Sequence, residues 1–332
     1  MAEDPTTMIN RALSALVAAL ALLCATATHA QRYPAQPVKL VVPFAPGGAT
    51  DIIARLLAER LGQRLGQPFT VDNRGGASGI TGTQAVQNAP PNGYTLLLTG
   101  NGPHATNVAL FRKLPYDPLK DFAQVSLTGV LPLVLNVNPA APAQNFDEFV
   151  KWVKGQPGKI SYASPGTGSP PHLAMELLAQ RLGLSLVHVP YKGSAPAIND
   201  LIAGHVPVMF DNVFASIGNV KAGKIRSLAV GSGRRLASLP AVPTFIESGM
   251  PGFEVASWTS MAAPAGTPRE IVELLSAEIR QLFAQPEVQA RLLDQGAVPV
   301  ATTPDQTERF VREEIQRWSA VVDNAKVERI SH

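Results

Sequence analysis

The feature that most constrains the fold of this chain is a regular alternation of short apolar segments with amphipathic segments, starting at Val38. The first cycle predicts a strand over 38–42 and a helix over 50–65, whose leucines and isoleucines recur on one stripe at helical spacing. The second cycle predicts strands over 69–72 and 94–99 with a short helix between them. Strands separated by helices pair in parallel and are covered on both faces. The pattern therefore predicts an α/β fold.

Two long apolar segments interrupt this alternation. The segment 125–137 contains Gly129 and Pro132, and both residue types weaken a strand, so we predict two strands joined at a hinge. Four more strands and further helices follow, and the segment 253–263 crosses back. The chain is thus expected to form two α/β lobes joined by two crossover strands, with a ligand cleft between the lobes. The expected boundaries are 31–128 plus 255–332 for lobe 1 and 129–254 for lobe 2.

The first 30 residues have the pattern of a secretory signal peptide. Arg11 precedes an apolar run over 12–27, and the following Thr28-His29-Ala30 has the small-x-small form of a cleavage site. The alternative is a membrane anchor, but the run is shorter than the ~20 apolar residues that a spanning helix needs. The single cysteine, Cys24, lies inside the run, so the mature chain is expected to be exported and free of disulfides.

Composition and motifs argue against several classes of function. The formal net charge is only +3, and no dense block of lysine and arginine predicts a nucleic-acid partner. The sequence contains no P-loop, no G-x-S-x-G elbow and no H-E-x-x-H pair. The stretch Gly100-Asn101-Gly102-Pro103-His104-Ala105 matches a loose dinucleotide fingerprint, but it follows the third predicted strand and contains a proline. We therefore expect no metal and no cofactor.

The loop Pro46-Gly47-Gly48-Ala49-Thr50 joins the first predicted strand to the first predicted helix. Glycines allow backbone amides to turn towards one point, and the first amides of a helix have no partner within it. Such a loop favours an anion. In the alternative interpretation, Thr50 or Asp51 is simply the N-cap of the helix.

Three further loops follow predicted strands of the second lobe. Ser164 to Pro171 repeats the arrangement of glycines and hydroxyls before a helix, so two loops could hold the two ends of one small anion; alternatively, Ser169 only caps its helix. Lys192 either binds a carboxylate or is solvated. Asp211 and Asn212 either meet a ligand amine or hydroxyl or cap the next helix. His104 and His172 also lie in candidate loops.

Several stretches together resemble one known family. They are "YPAQPVKLVVPFAPGGATDIIARLLAERL", "VDNRGGASGITGTQAV", "ISYASPGTGSPPHLAMELL" and "VPYKGSAPAINDLIAGHV", and they resemble the Bug proteins, the solute receptors of tripartite tricarboxylate transporters. The resemblance implies a monomeric periplasmic binding protein of type II, not an enzyme, that closes on a small carboxylate and delivers it to the membrane components of a transporter. It also implies that amides, hydroxyls and waters hold the carboxylate, rather than an arginine clamp.

The resemblance also implies which residues contact the ligand. Ser78 stands where relatives often carry glycine, and the loop after the third strand adds two candidates to those that match the family's motifs. The predicted ligand-binding residues are Phe44, Pro46, Gly47, Gly48, Asp51, Ala77, Ser78, Gly79, Asn101, His104, Thr167, Gly168, Ser169, Tyr191, Lys192 and Asp211.

Two other functions remain open at this point. An exported hydrolase would use Ser78 or Ser169 as nucleophile, and it would need His104 or His172 as a base within about 3.2 Å. A ligand-sensing subunit of a signalling system would bind its ligand by the same contacts and would differ only in its membrane partner.

Overall fold

The computed structural model describes residues 33–324, 327, 329 and 330 of this 332-residue chain. The predicted signal peptide, residues 1–30, lies outside the described residues. Within the described ranges, no helix is both long and apolar enough to cross a membrane. Residues from Gln36 onwards form one compact unit, and the fold described below belongs to that unit.

The first part of the sheet follows the predicted alternation. Strands β1 (Val38–Val42), β2 (Phe69–Asn73) and β3 (Thr95–Gly100) are parallel, with β1 in the middle. Helices α1 (Ala49–Leu65) and α2 (Ile80–Gln87) form the connections between them. The apolar side chains of β1 are buried, and so are Ile53, Leu56, Leu57 and Leu61 of the α1 stripe, as the periodicity requires. This part of the sheet places the ends of β1, β2 and β3 side by side.

The segment predicted to be two strands joined at a hinge is a single strand, and that prediction is wrong. After a short helix α3 (Asn107–Leu110), strand β4 runs without a break over Phe122–Val137. It pairs with β9 (Ala256–Pro264) up to Pro132 and with other strands from Leu133. Pro132 lies where the partner changes, so its missing N–H does not interrupt a long ladder.

The second part of the sheet continues from the C-terminal end of β4. Its elements are α4 (Phe146–Gly155), β5 (Ser161–Ser164), α5 (Pro170–Leu182), β6 (Val187–Pro190), α6 (Ser194–Ala203), β7 (Val208–Asn212), α7 (Val213–Lys221) and β8 (Arg226–Val230). The whole sheet has the order β2-β1-β3-β9-β4-β7-β5-β6, and β8 also pairs with β4.

The chain ends in three helices that return to the first part of the sheet. They are α8 (Arg269–Phe283), α9 (Pro286–Asp294) and α10 (Pro304–Asn324). Trp318 of α10 is fully buried in an apolar cluster with residues of β1 and β3. A separate cluster around Phe149 and Phe210 forms the core of the second part. Strand β4 crosses the predicted boundary at 128 as one continuous strand. The predicted lobe boundaries stay predictions.

Candidate functional site

A cavity of about 970 Å³ lies where loops from both parts of the sheet converge. Its volume is at the upper end of the roughly 300–1,000 Å³ that is usual for ligand pockets. Among the described lining residues, Asp51 and Lys192 carry the charges and no arginine is present. The predicted site residues in the lining are Phe44, Pro46, Gly47, Gly48, Asp51, Ser78, Asn101, Thr167, Gly168, Ser169 and Lys192.

The first wall of the cavity is the loop between β1 and α1. Gly48 is the N-cap of α1, and no side chain caps the helix there. The amides of the first turn are therefore left for a partner outside the helix. Asp51 does not act as the N-cap, because its carboxylate folds back and accepts a hydrogen bond from the Gly47 N–H at 2.9 Å.

Asp51 is the centre of a small polar network that holds this loop. Its carboxylate accepts hydrogen bonds from Arg55 Nε at 3.0 Å and from Asn73 Nδ2 at 3.0 Å. Asn73 Nδ2 also donates to the Phe44 carbonyl at 3.2 Å. Burial on its own raises the pKa of Asp51, but the bonds from Arg55, Gly47 and Asn73 outweigh it and hold the pKa below its ordinary value of 3.8.

Asn73 is a positioning residue that the sequence analysis missed. It ends β2, directly opposite Val42 at the end of β1, so the parallel register brings its amide to the β1 loop. The sequence shows only an asparagine at the start of a glycine-rich turn, which is an ordinary turn signal. Identifying Asn73 from the sequence would have required the register of β1 against β2.

The second wall comes from the loop between β2 and α2. The four consecutive residues Gly76, Ala77, Ser78 and Gly79 all have positive φ, at 128°, 45°, 55° and 86°. Ser78 lines the cavity, and Asn107 Nδ2 fixes its carbonyl oxygen at 3.0 Å. Ser78 therefore holds a backbone conformation that favours glycine.

The loop between β5 and α5 faces the first loop across the cavity. The Ser169 hydroxyl donates to the Gly166 carbonyl at 2.7 Å and accepts from the His172 N–H at 3.4 Å, so Ser169 does cap α5. It also lines the cavity. Gly168 has a left-handed φ of 76°, and its N–H donates to His172 Nδ1 at 3.0 Å. His172 thus supports the loop from behind.

Tyr191 and Lys192 follow β6, but they face different surroundings. Lys192 is exposed, lines the cavity and makes no ion pair with another described residue. The Tyr191 hydroxyl donates to Asp200 at 2.6 Å. Burial and this bond raise the pKa of Tyr191 to about 12. Of the two, Lys192 is the residue that a ligand in the cavity would meet.

Some predicted site residues lie outside the cavity lining. They are Ala77, Gly79, His104, Tyr191 and Asp211. His104 is fully buried, and its ring packs 5.2 Å from the Phe122 ring. Burial lowers the pKa of His104 to about 3, so it is neutral. The roles of these five residues in binding stay predictions.

Asp211 lies behind the cavity wall at the end of β7. Its side chain is fully buried, and Oδ1 accepts hydrogen bonds from Ser194 Oγ at 2.9 Å and from the Asn212 N–H at 2.8 Å. Burial raises the pKa of Asp211 from its ordinary value of 3.8 to about 7, and the two hydrogen bonds offset only part of the rise. Asn212 is at the N-cap position of α7, but its side chain makes no capping hydrogen bond.

This raised pKa predicts a pH dependence of stability. Between about pH 4 and about pH 7 the folded chain holds the Asp211 proton more tightly than the unfolded chain does. Asp211 therefore makes the free energy of unfolding fall as pH rises, by up to about 1.4 kcal/mol per pH unit, whereas the lowered pKa values of the buried His104, His172 and His188 make it rise up to about pH 6.5. Urea unfolding at several pH values should therefore show a steeper rise with pH in Asp211→Asn than in the wild type.

The exposed Asp294→Asn variant is the matched control for that measurement. It removes one carboxylate outside the core and should keep the wild-type pH dependence. An equal slope in wild type and Asp211→Asn would show that Asp211 does not take up the proton.

Several lining residues were not predicted from the sequence. Trp258 is one of them. Its N–H donates at 2.6 Å to Asn101 Oδ1, a predicted residue, and its indole N–H donates at 2.8 Å to Glu314 of α10. These contacts join segments that are far apart along the chain, so no local pattern reveals them. The lining residues that were not predicted include Asn107, Leu110, Phe214, Asn219, Ser257, Trp258 and Ile330. Among the described residues, no group of acidic, histidine or cysteine side chains is arranged to hold a metal ion.

Comparison with known proteins decides the family. Residues 53–327 match the sequence family described as tripartite tricarboxylate transporter family receptor. The chain belongs to this family. Its relatives include protein BugT of Bordetella pertussis, which is 40% identical over 316 residues, covering 93% of this chain and 97% of BugT.

Solved structures of the receptor family share the fold of this chain. The structure of R. palustris Rpa4515 with adipate has a TM-score of 0.84 and 38% identity, over 90% of this chain and 100% of that one. The periplasmic binding protein BugD has a TM-score of 0.80 and 37% identity, over 90% and 100% of the two chains. The predicted periplasmic-binding-protein fold and the resemblance to the Bug proteins are confirmed.

Membership of the receptor family also decides the class of activity. The chain is an extracytoplasmic solute receptor and not an enzyme. The geometry agrees, because Ser169 Oγ bonds to a carbonyl and a backbone N–H rather than to a histidine ring. The alternative of an exported hydrolase is therefore set aside.

Proposed function

We propose that this protein binds a small mono-, di- or tricarboxylate in the cavity and delivers it to the membrane components of a tripartite tricarboxylate transporter. The observation that carries the proposal is the convergence of two loop-to-helix junctions, Gly47–Ala49 and Gly166–Ser169, on one cavity. The first junction begins a helix that no side chain caps, and such helix starts favour anions. The solved relative with adipate supports the same chemistry.

The absence of arginine from the described lining suits recognition by amides, hydroxyls and ordered water. Bridging waters cost only about 0–2 kcal/mol each, so such recognition can still be tight. The apolar part of the wall, which includes Phe44, Leu110 and Trp258, would cover the carbon chain of the acid. In this proposal the sixteen predicted residues act as the ligand-binding set where they line the cavity, and as support for it elsewhere.

A thermal-shift panel tests the proposed function. Mono-, di- and tricarboxylates of increasing chain length, with adipate among them, are added at millimolar concentration to the refolded, ligand-free protein. At least one acid should raise Tm, because a ligand that binds only the folded state stabilises it. The uncharged diamide of the same acid is the control and should have no effect. A folded protein whose Tm no acid raises would contradict the proposal.

We further propose that residues 1–30 direct the chain to the periplasm, where it acts as a monomer. N-terminal sequencing of protein from the periplasmic fraction should begin near residue 31. Size-exclusion chromatography with light scattering should give the mass of one mature chain. Protein that stays in the cytoplasm with its first 30 residues intact would contradict the localisation.

The variant Lys192→Gln tests whether the positive charge of Lys192 contributes to carboxylate binding. Since Lys192 is exposed and lies in the cavity wall, Lys192→Gln should weaken binding of the best acid about two- to fivefold, as expected for a solvent-screened charge pair. Calorimetric titration at low and high salt should show a smaller salt dependence in the variant. Lys221→Gln, which removes an exposed lysine outside the cavity, should bind like the wild type in both conditions. Equal salt dependence in all three proteins would remove Lys192 from the proposed site.

A further inference from the structure

Two loops that line the cavity are fixed by equivalent hydrogen bonds from side chains of different charge. In the β1–α1 loop, Asp51 is the third residue of α1, and its carboxylate accepts from the Gly47 N–H at 2.9 Å. In the β5–α5 loop, His172 is the third residue of α5, and its Nδ1 accepts from the Gly168 N–H at 3.0 Å. In both loops the bond reaches back four residues, to a glycine. One loop is therefore held by an acid and the other by a histidine.

The hydrogen bond from Gly168 requires a neutral imidazole at His172. Both ring nitrogens of a protonated histidine are donors, so Nδ1 can accept only while the single ring proton is on Nε2. That nitrogen lies 3.9 Å from the Glu176 carboxylate, and the ring stacks on the His188 ring with their centroids 3.9 Å apart. Burial, with a contribution from His188, lowers the pKa of His172 to about 3. His172 therefore holds its loop without carrying a charge at neutral pH.

The N–H groups at the start of α5 already have partners or are missing. Pro170 and Pro171, the first two residues of the helix, have no N–H. The Ser169 N–H donates to the Gly166 carbonyl at 3.1 Å, and the His172 N–H donates to Ser169 Oγ at 3.4 Å. A negative charge on the side chain of residue 172 would therefore find no free donor in this first turn to offset it.

The acid that holds the other loop has a cation of its own. Arg55 Nε donates to the Asp51 carboxylate at 3.0 Å, so the pair carries no net charge. In the described part of the chain, neither His172 nor Glu176 forms an ion pair with a lysine or an arginine. Lys192, in the loop after β6, lines the cavity itself. An acid in place of His172 would thus be an unpaired charge behind the cavity wall, where it would repel a bound carboxylate.

We propose that His172 is a neutral positioning residue for anion binding: it fixes the β5–α5 loop as Asp51 fixes the β1–α1 loop, and it does so without placing a negative charge beside the ligand. This inference rests on the proposed function, since it assumes a negatively charged ligand in the cavity. His172 does not line the cavity and acts through Gly168 and Ser169, which do. A neutral acceptor at this position should support binding, whereas a negative acceptor of the same size should oppose it.

A pair of isosteric substitutions separates the charge from the hydrogen bond. Asp51 shows that a side chain of this length, on the third residue of a helix, reaches the N–H of the glycine four residues earlier. Both His172→Asn and His172→Asp can therefore accept the bond from Gly168, and both lose the stacked ring. Calorimetric titration at about pH 8 with the acid that raises Tm most should give a Kd for His172→Asp about tenfold or more above that of His172→Asn. Equal Kd values for the two variants would overturn the inference, because a purely structural role moves both alike.

A third variant tests the hydrogen bond itself. His172→Leu removes the acceptor without adding charge, so the loop loses its support and the acid should bind more weakly than it does to His172→Asn. A His172→Leu variant that binds as tightly as His172→Asn would show that the bond from Gly168 does not position the loop, and would overturn the inference. If His172→Asp does not fold, the longer pair His172→Gln and His172→Glu gives the same comparison of a neutral with a negative acceptor.

Gln180→Glu is the matched control for the added charge. Gln180 is exposed in the last turn of α5 and does not line the cavity, so this variant also adds one negative charge to the helix but should keep the wild-type Kd. An equal loss of affinity in Gln180→Glu and His172→Asp would overturn the assignment to position 172. If no acid binds the folded wild type at all, the proposed function itself fails, whereas acids that bind His172→Asn and His172→Asp equally refute only this inference.

Discussion

Gly168→Ala is expected to raise the Kd of the best carboxylate about tenfold or more. Gly168 has a φ of 76°, a left-handed conformation that costs an alanine about 1–2 kcal/mol. A Cβ atom at this position would also overlap the Leu110 side chain, which lines the same cavity. Leu110 or the loop must shift, and either shift changes the cavity wall that holds the proposed ligand. Calorimetric titration measures the change directly.

A glycine at the other end of α5 provides the matched control. Gly183 ends α5 with a φ of 62°, and a Cβ atom there would meet no neighbouring atom. Gly183→Ala should therefore lower the free energy of unfolding by about 1 kcal/mol and leave the Kd unchanged. If Gly168→Ala and Gly183→Ala bind the acid equally well, the β5–α5 loop does not hold the ligand.

Asp51→Asn is expected to destabilise the protein and to weaken binding about tenfold. The Asp51 carboxylate accepts hydrogen bonds from Gly47, Arg55 and Asn73, and a new amide group would turn an N–H towards one of these donors. Hydrogen bonds to a charged group contribute about 1.5–3 kcal/mol. The loss should lower Tm by several degrees, and it should also release the loop that carries Gly47 and Gly48.

The matched control for this change lies on the same helix. Glu59 of α1 is exposed, so Glu59→Gln also removes one negative charge from the helix without touching the loop. It should keep the wild-type Tm and Kd. Unchanged stability and affinity in Asp51→Asn would show that the network around Asp51 does not position the site.

The order of elements could be predicted because each has a periodic apolar pattern of its own. Helix α1 was expected over 50–65 and spans Ala49–Leu65, and its leucine stripe is sufficient to define it. The prediction of a break in β4 was wrong, because it depended on which strands lie beside β4 and not on the β4 sequence alone. Pro132 lies where β4 exchanges one neighbouring strand for another, and the sequence of β4 does not contain the identity of its neighbours.

The residues of the candidate site also fall into two groups, those with a local sequence signal and those without one. The loops at Gly47 and Gly168 were found because glycines between a strand and a helix are a local signal. Asn73, which holds the β1 loop, and Trp258, which lines the cavity, could not be found, since their positions depend on strand register and on contacts between distant segments.

The position of β9 has a consequence for the order in which the chain can fold. This strand lies between β3 and β4 and pairs with both, although it follows β4 by more than a hundred residues. Until it is in place, β3 and β4 each present an unpaired edge, which is prone to pairing with other chains. A fragment that ends near residue 250 should therefore aggregate instead of forming the first part of the sheet. During synthesis and export, that part of the sheet can close only after almost the whole polypeptide is available.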